Sequence, residues 1–342
     1  MKKSALIIAV LIALMAQGLK GQNLIAVQNG DPPEFFTSLD SAIVHSQNGD
    51  TLFIPGGTFN LSTSVNKRIH LIGMGYNIDS ANATGTTNAT ISLLAGASNG
   101  SISGMIIGGL TFDGTNNYVT ERCKLQAGFI MNQNSYNLIF QECIIQGSYG
   151  SSFDPGASNC MFISNIIEGC NPYQRNTSIN STFKNNIFLY NSTCDWGPGW
   201  NFPVKSMNSV FENNIFIGWS GCNWTGPSSG SFFNNNLFVI NWNPSVCSCF
   251  GANNLKNQLQ ADIFINQDGN SYSSSHDYHL KPTCLGKNAG TDGTDMGIYG
   301  GSSPWKDGAL PFNPHFQQFN IGATTNPAGN LNVNVKVAAQ DR

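Results

Sequence analysis

The fold is decided by a six-residue motif that recurs five times between residues 140 and 238. Its first copy reads Phe140-Gln-Glu-Cys-Ile-Ile145 and its third reads Phe183-Lys-Asn-Asn-Ile-Phe188. The copies begin at Phe140, Phe162, Phe183, Phe211 and Phe233, in steps of 22, 21, 28 and 22 residues. Such a period is typical of a solenoid, in which each repeat buries its apolar face only by stacking on a neighbour. The Asn, Gly and β-branched or aromatic residues of the copies favour strands and turns over helices.

The repeat aligns residues of equal character into rows. The five phenylalanines predict one inward apolar row, and a second consists of Ile145, Ile167, Phe188, Phe216 and Phe238. Between these rows, one turn position is occupied by Asn165, Asn186, Asn214 and Asn236. Asn tolerates the left-handed conformation of a sharp corner, and stacked Asn side chains can hydrogen-bond along the stack. We therefore expect an asparagine ladder.

These rows resemble those of the right-handed parallel β-helix proteins of the pectin-lyase-like superfamily, whose turns often carry such ladders. The resemblance is best over residues 105–250. It implies an all-β, right-handed parallel β-helix with about 22 residues per coil. It says little about chemistry, because one fold hosts many functions.

A further apolar row lies next to the second inward row and consists of Ile144, Ile166, Ile187, Ile215 and Leu237. Strict strand alternation places this row on the outer surface, where it would form a partner-binding face. A bend at the asparagine corner would instead turn it inward. The sequence leaves both arrangements open.

Three segments make up the chain. Residues 1–21 carry two lysines followed by a short apolar run, which predicts a secretory signal peptide. Residues 22–310 are expected to form the β-helix, beginning with an amphipathic capping helix over residues 35–44 that covers the open end of the solenoid. Residues 276–301 resemble the closing segment of secreted bacterial β-helices. Residues 311–342 are an extension in which only 331–337 alternates strictly, so one strand is expected there.

Composition narrows the functional classes. Charged residues are 10 % of the 342, and the formal net charge is −3, without a basic patch dense enough for nucleic acid. The apolar run at the N-terminus is too short for a membrane span, and no later run is long enough. We expect a secreted bacterial protein, extracellular or periplasmic, with an extracellular polysaccharide or a surface protein as partner.

Nine cysteines leave at least one without an intrachain partner. Cys194 and Cys222 are 28 residues apart, the same step as Phe183 to Phe211, so they occupy one position on adjacent coils. Stacked coils lie about 4.8 Å apart, within the Cα separation of a disulfide. Cys123 and Cys143 share the row that later becomes Asn. For both pairs the alternative is a ladder of buried thiols.

Known catalytic patterns of β-helix enzymes are missing. The polygalacturonase motifs Asn-Thr-Asp, Asp-Asp and Gly-His-Gly do not occur, nor does the Arg-x-Pro-x-x-Arg run of pectate lyases. The acids Glu142, Glu168, Asp195 and Glu212 fall in different rows, whereas glycosidases need two facing carboxylates. The basic pair Arg122 and Lys124, beside Glu121, is interpreted as solvated surface.

Two short polar clusters could carry chemistry. The stretch His276 to His279 has the residue types of a metal or acid–base site, but a structural turn is the favoured interpretation. Asp292 and Asp295 offer oxygen ligands without the full set of a Ca²⁺ loop, so an Asp/Gly turn is favoured. No cysteine and histidine grouping has zinc spacing. We expect no metal and no cofactor.

Aromatic residues give the strongest functional indication. Trp196 and Trp224 are also 28 residues apart, and Trp200 lies in the same insertion as Trp196. Stacked tryptophans on one flank could form a platform for sugar rings, with Asp195 and Asn223 as polar neighbours; alternatively, they shield the strands. We interpret the chain as a non-catalytic glycan- or partner-binding surface protein. A polysaccharide lyase or glycoside hydrolase with an unrecognised active site is the alternative.

Overall fold

The computed structural model describes residues 24–28, 30, 32–77, 85–132, 134–146, 157–168, 177–190, 205–218, 229–241, 243, 248–307 and 315–338. Two long sheets dominate these residues. Sheet 1 has twelve strands, in the order β2 (Glu34–Phe36), β1 (Ile25–Gln28), β3 (Thr51–Phe53), β5 (His70–Ile72), β7 (Ser101–Ser103), β9 (Val119–Glu121), β12 (Ile139–Gln141), β14 (Met161–Ile163), β17 (Thr182–Lys184), β20 (Val210–Glu212), β22 (Phe232–Asn234) and β24 (Phe250–Ala252).

Sheet 2 has ten strands, in the order β23 (Leu237–Phe238), β21 (Ile215–Ile217), β18 (Ile187–Leu189), β15 (Ile166–Glu168), β13 (Ile144–Ile145), β10 (Lys124–Leu125), β8 (Met105–Asp113), β6 (Thr86–Leu94) and β4 (Gly57–Phe59), with β11 (Phe129–Met131) beside β8. Three two-stranded pairs complete the strands: β16 (Thr177–Ile179) with β19 (Lys205–Met207), β25 (Phe264–Asn266) with β26 (Asp277–Leu280), and β27 (His315–Thr325) with β28 (Leu331–Ala338). Within the ranges that the structure describes, the helical elements are α1 (Leu39–His45) and the 3₁₀ turns Ala95–Ala97 and Gln260–Asp262.

The strand register confirms the parallel β-helix. Phe140 pairs with Phe162, Phe162 with Phe183, Phe183 with Phe211 and Phe211 with Phe233, all in parallel strands of sheet 1. Their rings stack at centroid distances of 4.9, 4.7, 4.6 and 4.3 Å. Each coil therefore adds one ring to a continuous aromatic column, because residues in register on parallel strands lie directly above one another.

The corner between sheets 1 and 2 carries the expected asparagine ladder. The Asn165 Nδ2 donates to the Phe140 carbonyl at 2.9 Å and to Asn186 Oδ1 at 3.0 Å. Asn186 bonds Asn214 and Asn214 bonds Asn236 in the same way, and the ladder continues to Asn254. All these side chains but Asn254 are fully buried, so the ladder satisfies amide groups that would be costly to bury unpaired.

We expected the left-handed backbone conformation at the ladder asparagines. The structure has it one residue earlier, at the residue before each of them. Asn185, Asn213 and Asn235 have φ of 56°, 57° and 51°. Since the corner needs only one such residue, the following Asn keeps an ordinary backbone and turns its side chain inward. A second ladder was not predicted: the Ser181 backbone N–H donates to Ser209 Oγ at 2.9 Å, and that of Ser209 to Ser231 Oγ at 3.0 Å.

The N-terminal cap is a shorter helix than expected. Helix α1 begins after Ser38, whose Oγ accepts from the Ser41 backbone N–H, and it ends at His45. Phe35 and Phe36 are not helical, because both pair with β1 in strand β2. The Asp40 carboxylate accepts from the backbone N–H groups of Ser62 and Thr63, which fixes the helix to the first coils.

The C-terminal part departs most from expectation. Residues 276–301 do not only close the last coil; they belong to a segment, residues 263–305, that lies along sheet 2. We call it the covering segment. The extension beyond it contains an antiparallel hairpin, β27 with β28, in place of the single strand expected. Strand β27 was missed because His315 to Thr325 lacks strict alternation, and the register of the hairpin shifts twice within that strand.

Candidate functional site

The outer face of sheet 2 is closed by the chain itself. Its row of Ile144, Ile166, Ile187, Ile215 and Leu237 is outward-facing but fully buried. The last four pack with Ile263, Phe264, Leu280, Met296 and Ile298 of the covering segment. Corner side chains fasten the segment: Asn185 Nδ2 donates to the Gly297 carbonyl at 3.0 Å, and Asn235 Nδ2 to the Ala289 carbonyl at 2.9 Å. The row is therefore neither an open partner surface nor part of the inner core.

The outer face of sheet 1 has no such cover among the described residues. Strand alternation gives it two columns on either side of the buried Phe column. The first column is mostly apolar and consists of Val119, Ile139, Met161, Thr182, Val210, Phe232 and Phe250. The second is mostly polar and consists of Glu121, Gln141, Ile163, Lys184, Glu212, Asn234 and Ala252.

The apolar column ends in an exposed aromatic pair. Phe232 and Phe250 are 48 % and 57 % exposed, and their rings stack with centroids 5.0 Å apart. Two large exposed rings stacked on each other form an exposed apolar cluster, which water solvates poorly. Met161 lies further along the same column and is also exposed.

Charged groups lie at the polar edge of this face. Lys184 is directly opposite Glu212 in register, and its Nζ is 3.7 Å from Asp292 Oδ2 of the covering segment. Hydrogen bonding from the Thr294 side chain, and the nearby Lys184, keep the pKa of Asp292 below its usual value against a smaller opposing effect of burial. The arrangement places one base and two acids beside the apolar column.

The carboxylates do not form a glycosidase pair on the polar column. Glu121 and Glu212 are four strand spacings apart, which is roughly 19 Å at the usual spacing of strands. Facing carboxylates of glycosidases are separated by about 5 to 9.5 Å. Glu142 and Glu168 are buried, in rows different from that of Glu212, as predicted.

The prediction of solvated surface is wrong for Arg122. Its side chain and that of Glu142 are 3 % and 5 % exposed, and Arg122 Nη2 lies 2.9 Å from Glu142 Oε2. Both occupy the left-handed corner position, with φ of 49° and 51°. Sequence alone could not show this, because the pairing depends on the corner row being covered. Lys124 lies over the Tyr272 ring of the covering segment, 5.6 Å from its centroid.

The histidine cluster is a structural turn. His279 Nδ1 lies 2.7 Å from Asp277 Oδ1, and the His279 ring stacks on Tyr299 with centroids 3.7 Å apart. The Tyr299 hydroxyl donates to Asp307 Oδ1 at 2.6 Å. These contacts hold strand β26 against the end of the covering segment. No group of three or more His, Cys, Asp or Glu side chains among the described residues could hold a metal ion.

The two Asp residues after Gly290 stabilise turns. Asp292 Oδ1 accepts from the Thr294 backbone and hydroxyl, and Asp295 accepts from the Asn288 backbone N–H and from Lys287. Their oxygens are thus engaged by protein donors, in keeping with the Asp/Gly turn interpretation.

The cysteine predictions have mixed outcomes. Cys123 and Cys143 are free, buried thiols in the asparagine row, and the Cys123 backbone N–H lies 3.5 Å from Cys143 Sγ. Burial raises the pKa of Cys123 to about 12, which keeps it protonated and unreactive. Cys249 is disulfide-bonded. Cys194 and Cys222 lie outside the described residues, so their pairing stays a prediction.

The other predicted site residues fall outside the described residues as well: Trp196, Trp200, Trp224, Asp195 and Asn223. The site that the structure does present, Phe232 with Phe250, was missed. A signal was available, since the residue before each repeated Phe is apolar in four of the five copies, as in Met161 and Phe232.

Comparisons with known proteins give distant similarities only. No family model and no curated protein matches the chain. Among solved structures, it is similar to a pectin methylesterase mutant in complex with a hexasaccharide, with 12 % identity, a TM-score of 0.38, and coverage of 70 % of this chain and 90 % of the other. It is also similar to the pectate lyase Pel9A, with 11 % identity, a TM-score of 0.40, and coverage of 80 % and 89 %.

A third similar structure is the pectin methylesterase from Yersinia enterocolitica, with 12 % identity, a TM-score of 0.33, and coverage of 70 % of this chain and 95 % of the other. The parallel β-helix itself rests on the strand register described above. None of the described helices is long and apolar enough to cross a membrane.

Proposed function

We propose that this is a secreted β-helix protein that binds an extracellular polysaccharide along the outer face of sheet 1. The observation that carries the proposal is the exposed, stacked pair Phe232 and Phe250 at the end of an uncovered face. Aromatic rings offer large contact area at low cost in side-chain entropy. Sugar rings have apolar faces that fit such rings.

The polar column supplies the second element of glycan recognition. Asn234 lies two residues after Phe232 on the same face of β22. Glu212 lies two residues after Val210 on the same face of the neighbouring strand β20. Amide and carboxylate groups bond hydroxyls as acceptors, and the Asn amide also as a donor. An apolar column beside a polar column is the pattern of a sugar site, where rings stack and hydroxyls bond.

The proposal extends to the tryptophans predicted from the sequence. Trp196 and Trp200 lie in the connection from β18 to β19, and Trp224 in the connection from β21 to β22. Asn223 and Trp224 come shortly before Phe232 of strand β22 in the sequence, so they are close in the chain to the aromatic pair. Asp195 is the acidic neighbour proposed for Trp196.

The test is binding to a panel of extracellular polysaccharides by affinity electrophoresis and calorimetry. The variant Phe232→Ala with Phe250→Ala is expected to lose at least tenfold in affinity, by analogy with the stacking of nucleic-acid bases on aromatic side chains, where each stacked ring contributes about 1–3 kcal/mol. Phe35→Ala is the matched control, because Phe35 is an exposed ring at the opposite end of sheet 1. Equal loss in the control, or none in the double variant, would contradict the proposed site.

A second candidate function is a polysaccharide lyase or hydrolase. It is favoured by one observation, the cluster of Lys184, Glu212 and Asp292 at the polar edge of the same face. Lysine and carboxylate side chains are among the groups that transfer protons in such reactions, as general acids or bases. Release of new reducing ends from a bound polysaccharide, abolished in Lys184→Met and Glu212→Gln, would establish the enzyme; binding without product would support the non-catalytic role.

A further inference from the structure

Strand β24 is the last strand of sheet 1 and is exposed along its whole length. It pairs with β22 on one side, and no strand among the described residues pairs with its other side. All three of its residues are exposed, including Gly251, which occupies the position of the buried Phe in the preceding coils. The aromatic column thus ends in a glycine on an open edge.

The orientation of the β24 backbone follows from its bonds to the neighbouring coil. The Phe250 backbone N–H donates to the Ser231 carbonyl at 2.9 Å, and the Ala252 carbonyl accepts from the Asn235 N–H at 3.1 Å. Because successive residues of a strand direct their backbone groups to opposite sides, the N–H and C=O of Gly251 both face the open side. Gly251 therefore presents a donor and an acceptor at the centre of the edge.

The opposite edge of sheet 1 is protected in the usual manner. Strand β2 follows Pro32 and Pro33 and contains Glu34, and proline and charge on an edge discourage pairing with another chain. Helix α1 packs on β1 and β2 at the same end. These features discourage a second copy from continuing the β-helix at this end.

The β24 edge has none of these protections. Residues 248–255 read Ser-Cys-Phe-Gly-Ala-Asn-Asn-Leu, without a proline or a charge. Two such edges brought together meet no repulsion between like charges. The absent side chain of Gly251 also allows close approach of another backbone.

We propose that β24 pairs with β24 of a second copy of this chain, antiparallel and about a two-fold axis at Gly251. The two Gly251 residues form a hydrogen-bonded pair that exchanges both N–H···O bonds, and Phe250 lies opposite Ala252 of the second copy. An interface of this kind is self-complementary and closes at two copies. Head-to-tail stacking is disfavoured because the other end of sheet 1 is protected.

The dimer would also join the outer faces of the two copies of sheet 1 into one surface with both aromatic pairs near its centre. The inference does not depend on glycan binding, since it rests on the backbone edge. The two are separable by experiment, because a change at Gly251 removes no ring of the Phe232 and Phe250 pair.

The experiment is sedimentation of the full chain over a wide concentration range, with Gly251→Pro and Gly251→Ala as matched variants. Proline removes the outward N–H without affecting the bonds to β22, and alanine keeps it. We expect a concentration-dependent dimer for the wild type and for Gly251→Ala. For Gly251→Pro we expect the dissociation constant of the dimer to rise by roughly tenfold or more, because two hydrogen bonds are lost.

Hydrogen exchange of the peptide containing residues 250–252 gives a second readout in the unmodified chain. The Gly251 amide is expected to gain protection as the concentration rises into the dimeric range. A wild type that stays monomeric, a dimer that Gly251→Pro leaves intact, oligomers that grow beyond two, or exchange at Gly251 that is independent of concentration would each overturn the proposal.

Discussion

The outer faces of sheets 1 and 2 come from the same coils, but that of sheet 2 is buried and that of sheet 1 is exposed to solvent. On sheet 2 the outward row is aliphatic in every coil from Ile144 to Leu237, and the covering segment buries it completely. On sheet 1 an apolar column alternates with a polar one, and the face stays open. A continuous aliphatic strip is costly to leave in water, whereas a mixed face is not. This difference accounts for the covering segment packing on sheet 2 while the face of sheet 1 stays exposed.

The corner between the two faces is where disruption should cost most. Glu142→Gln removes the carboxylate that pairs with the buried Arg122 guanidinium, and we expect a loss of about 3–5 kcal/mol in the free energy of unfolding. Urea unfolding followed by circular dichroism measures it. The control is Glu212→Gln on the open face, where a half-exposed carboxylate opposite Lys184 in register is expected to contribute within about 1 kcal/mol.

If both changes cost the same, the corner is no more buried in solution than the open face. The comparison between the faces would then lose its electrostatic support. A large loss at Glu142 alone would show that the corner row belongs to the closed side of the molecule.

Truncation of one aliphatic side chain on each face tests the comparison directly. Ile215 on sheet 2 and Val210 on sheet 1 lie in the same coil, five residues apart. Ile215→Ala removes buried methyl groups and leaves a cavity, with an expected loss of about 2–4 kcal/mol. Val210→Ala, on a half-exposed position, is expected to cost less than about 1 kcal/mol. Urea midpoints of the two variants give the answer; similar midpoints would mean that the covering segment does not seal sheet 2.

Docking of the covering segment can be probed at two of its glycines. Gly297 has φ of +82°, and an added Cβ would lie 2.7 Å from Cδ1 of the buried Ile215; Gly293 has φ of +77°, with nothing within 4 Å. Each alanine variant incurs about 1 kcal/mol of left-handed strain. Gly297→Ala is expected to cost about 1 kcal/mol more, because it also overpacks the contact with sheet 2.

The measurement is the midpoint of thermal unfolding for the two glycine variants. The interpretation requires Gly297→Ala to be the less stable of the two. Equal midpoints would indicate that the segment can move away from Ile215 without loss.

The coils were predictable from the sequence because their interactions are periodic. Phe140 and its four successors are separated by 21 or 22 residues except for one step of 28, and one register explains all of them. The asparagine ladder followed from the same spacing. Its left-handed neighbours were assigned one residue too late, since two consecutive asparagines such as Asn185 and Asn186 look alike in sequence and differ only in which one faces inward.

The covering segment and the open face were not predictable in the same way. Ile263, Leu280, Met296 and Ile298 occur at irregular spacing, and only three-dimensional packing shows that they bury the row on sheet 2. The aromatic pair depends on the register between strands β22 and β24, which places Phe250 above Phe232 and which lies outside the five repeated motifs. Periodicity identifies a column, but exposure is decided by what else folds over it.

The smallest expected effect concerns acid and the attachment of the covering segment to sheet 1. Asp292 has a pKa held below the usual 3.8, first by the Thr294 hydroxyl and also by Lys184. A folded-state pKa below the unfolded value stabilises the fold above about pH 4 and loses this contribution as the pH falls through the folded pKa. Since the Lys184 and Asp292 side chains are about one third exposed, solvent screening limits the effect to less than about 1 kcal/mol.

Hydrogen exchange at pH 3 and pH 6, corrected for the intrinsic rates, should show residues 290–297 losing protection in acid while residues 210–212 keep theirs. Asp292→Asn should remove most of this pH dependence. Equal loss in both segments would mean that acid loosens the coils as a whole, and that the closed face is not fastened by this contact.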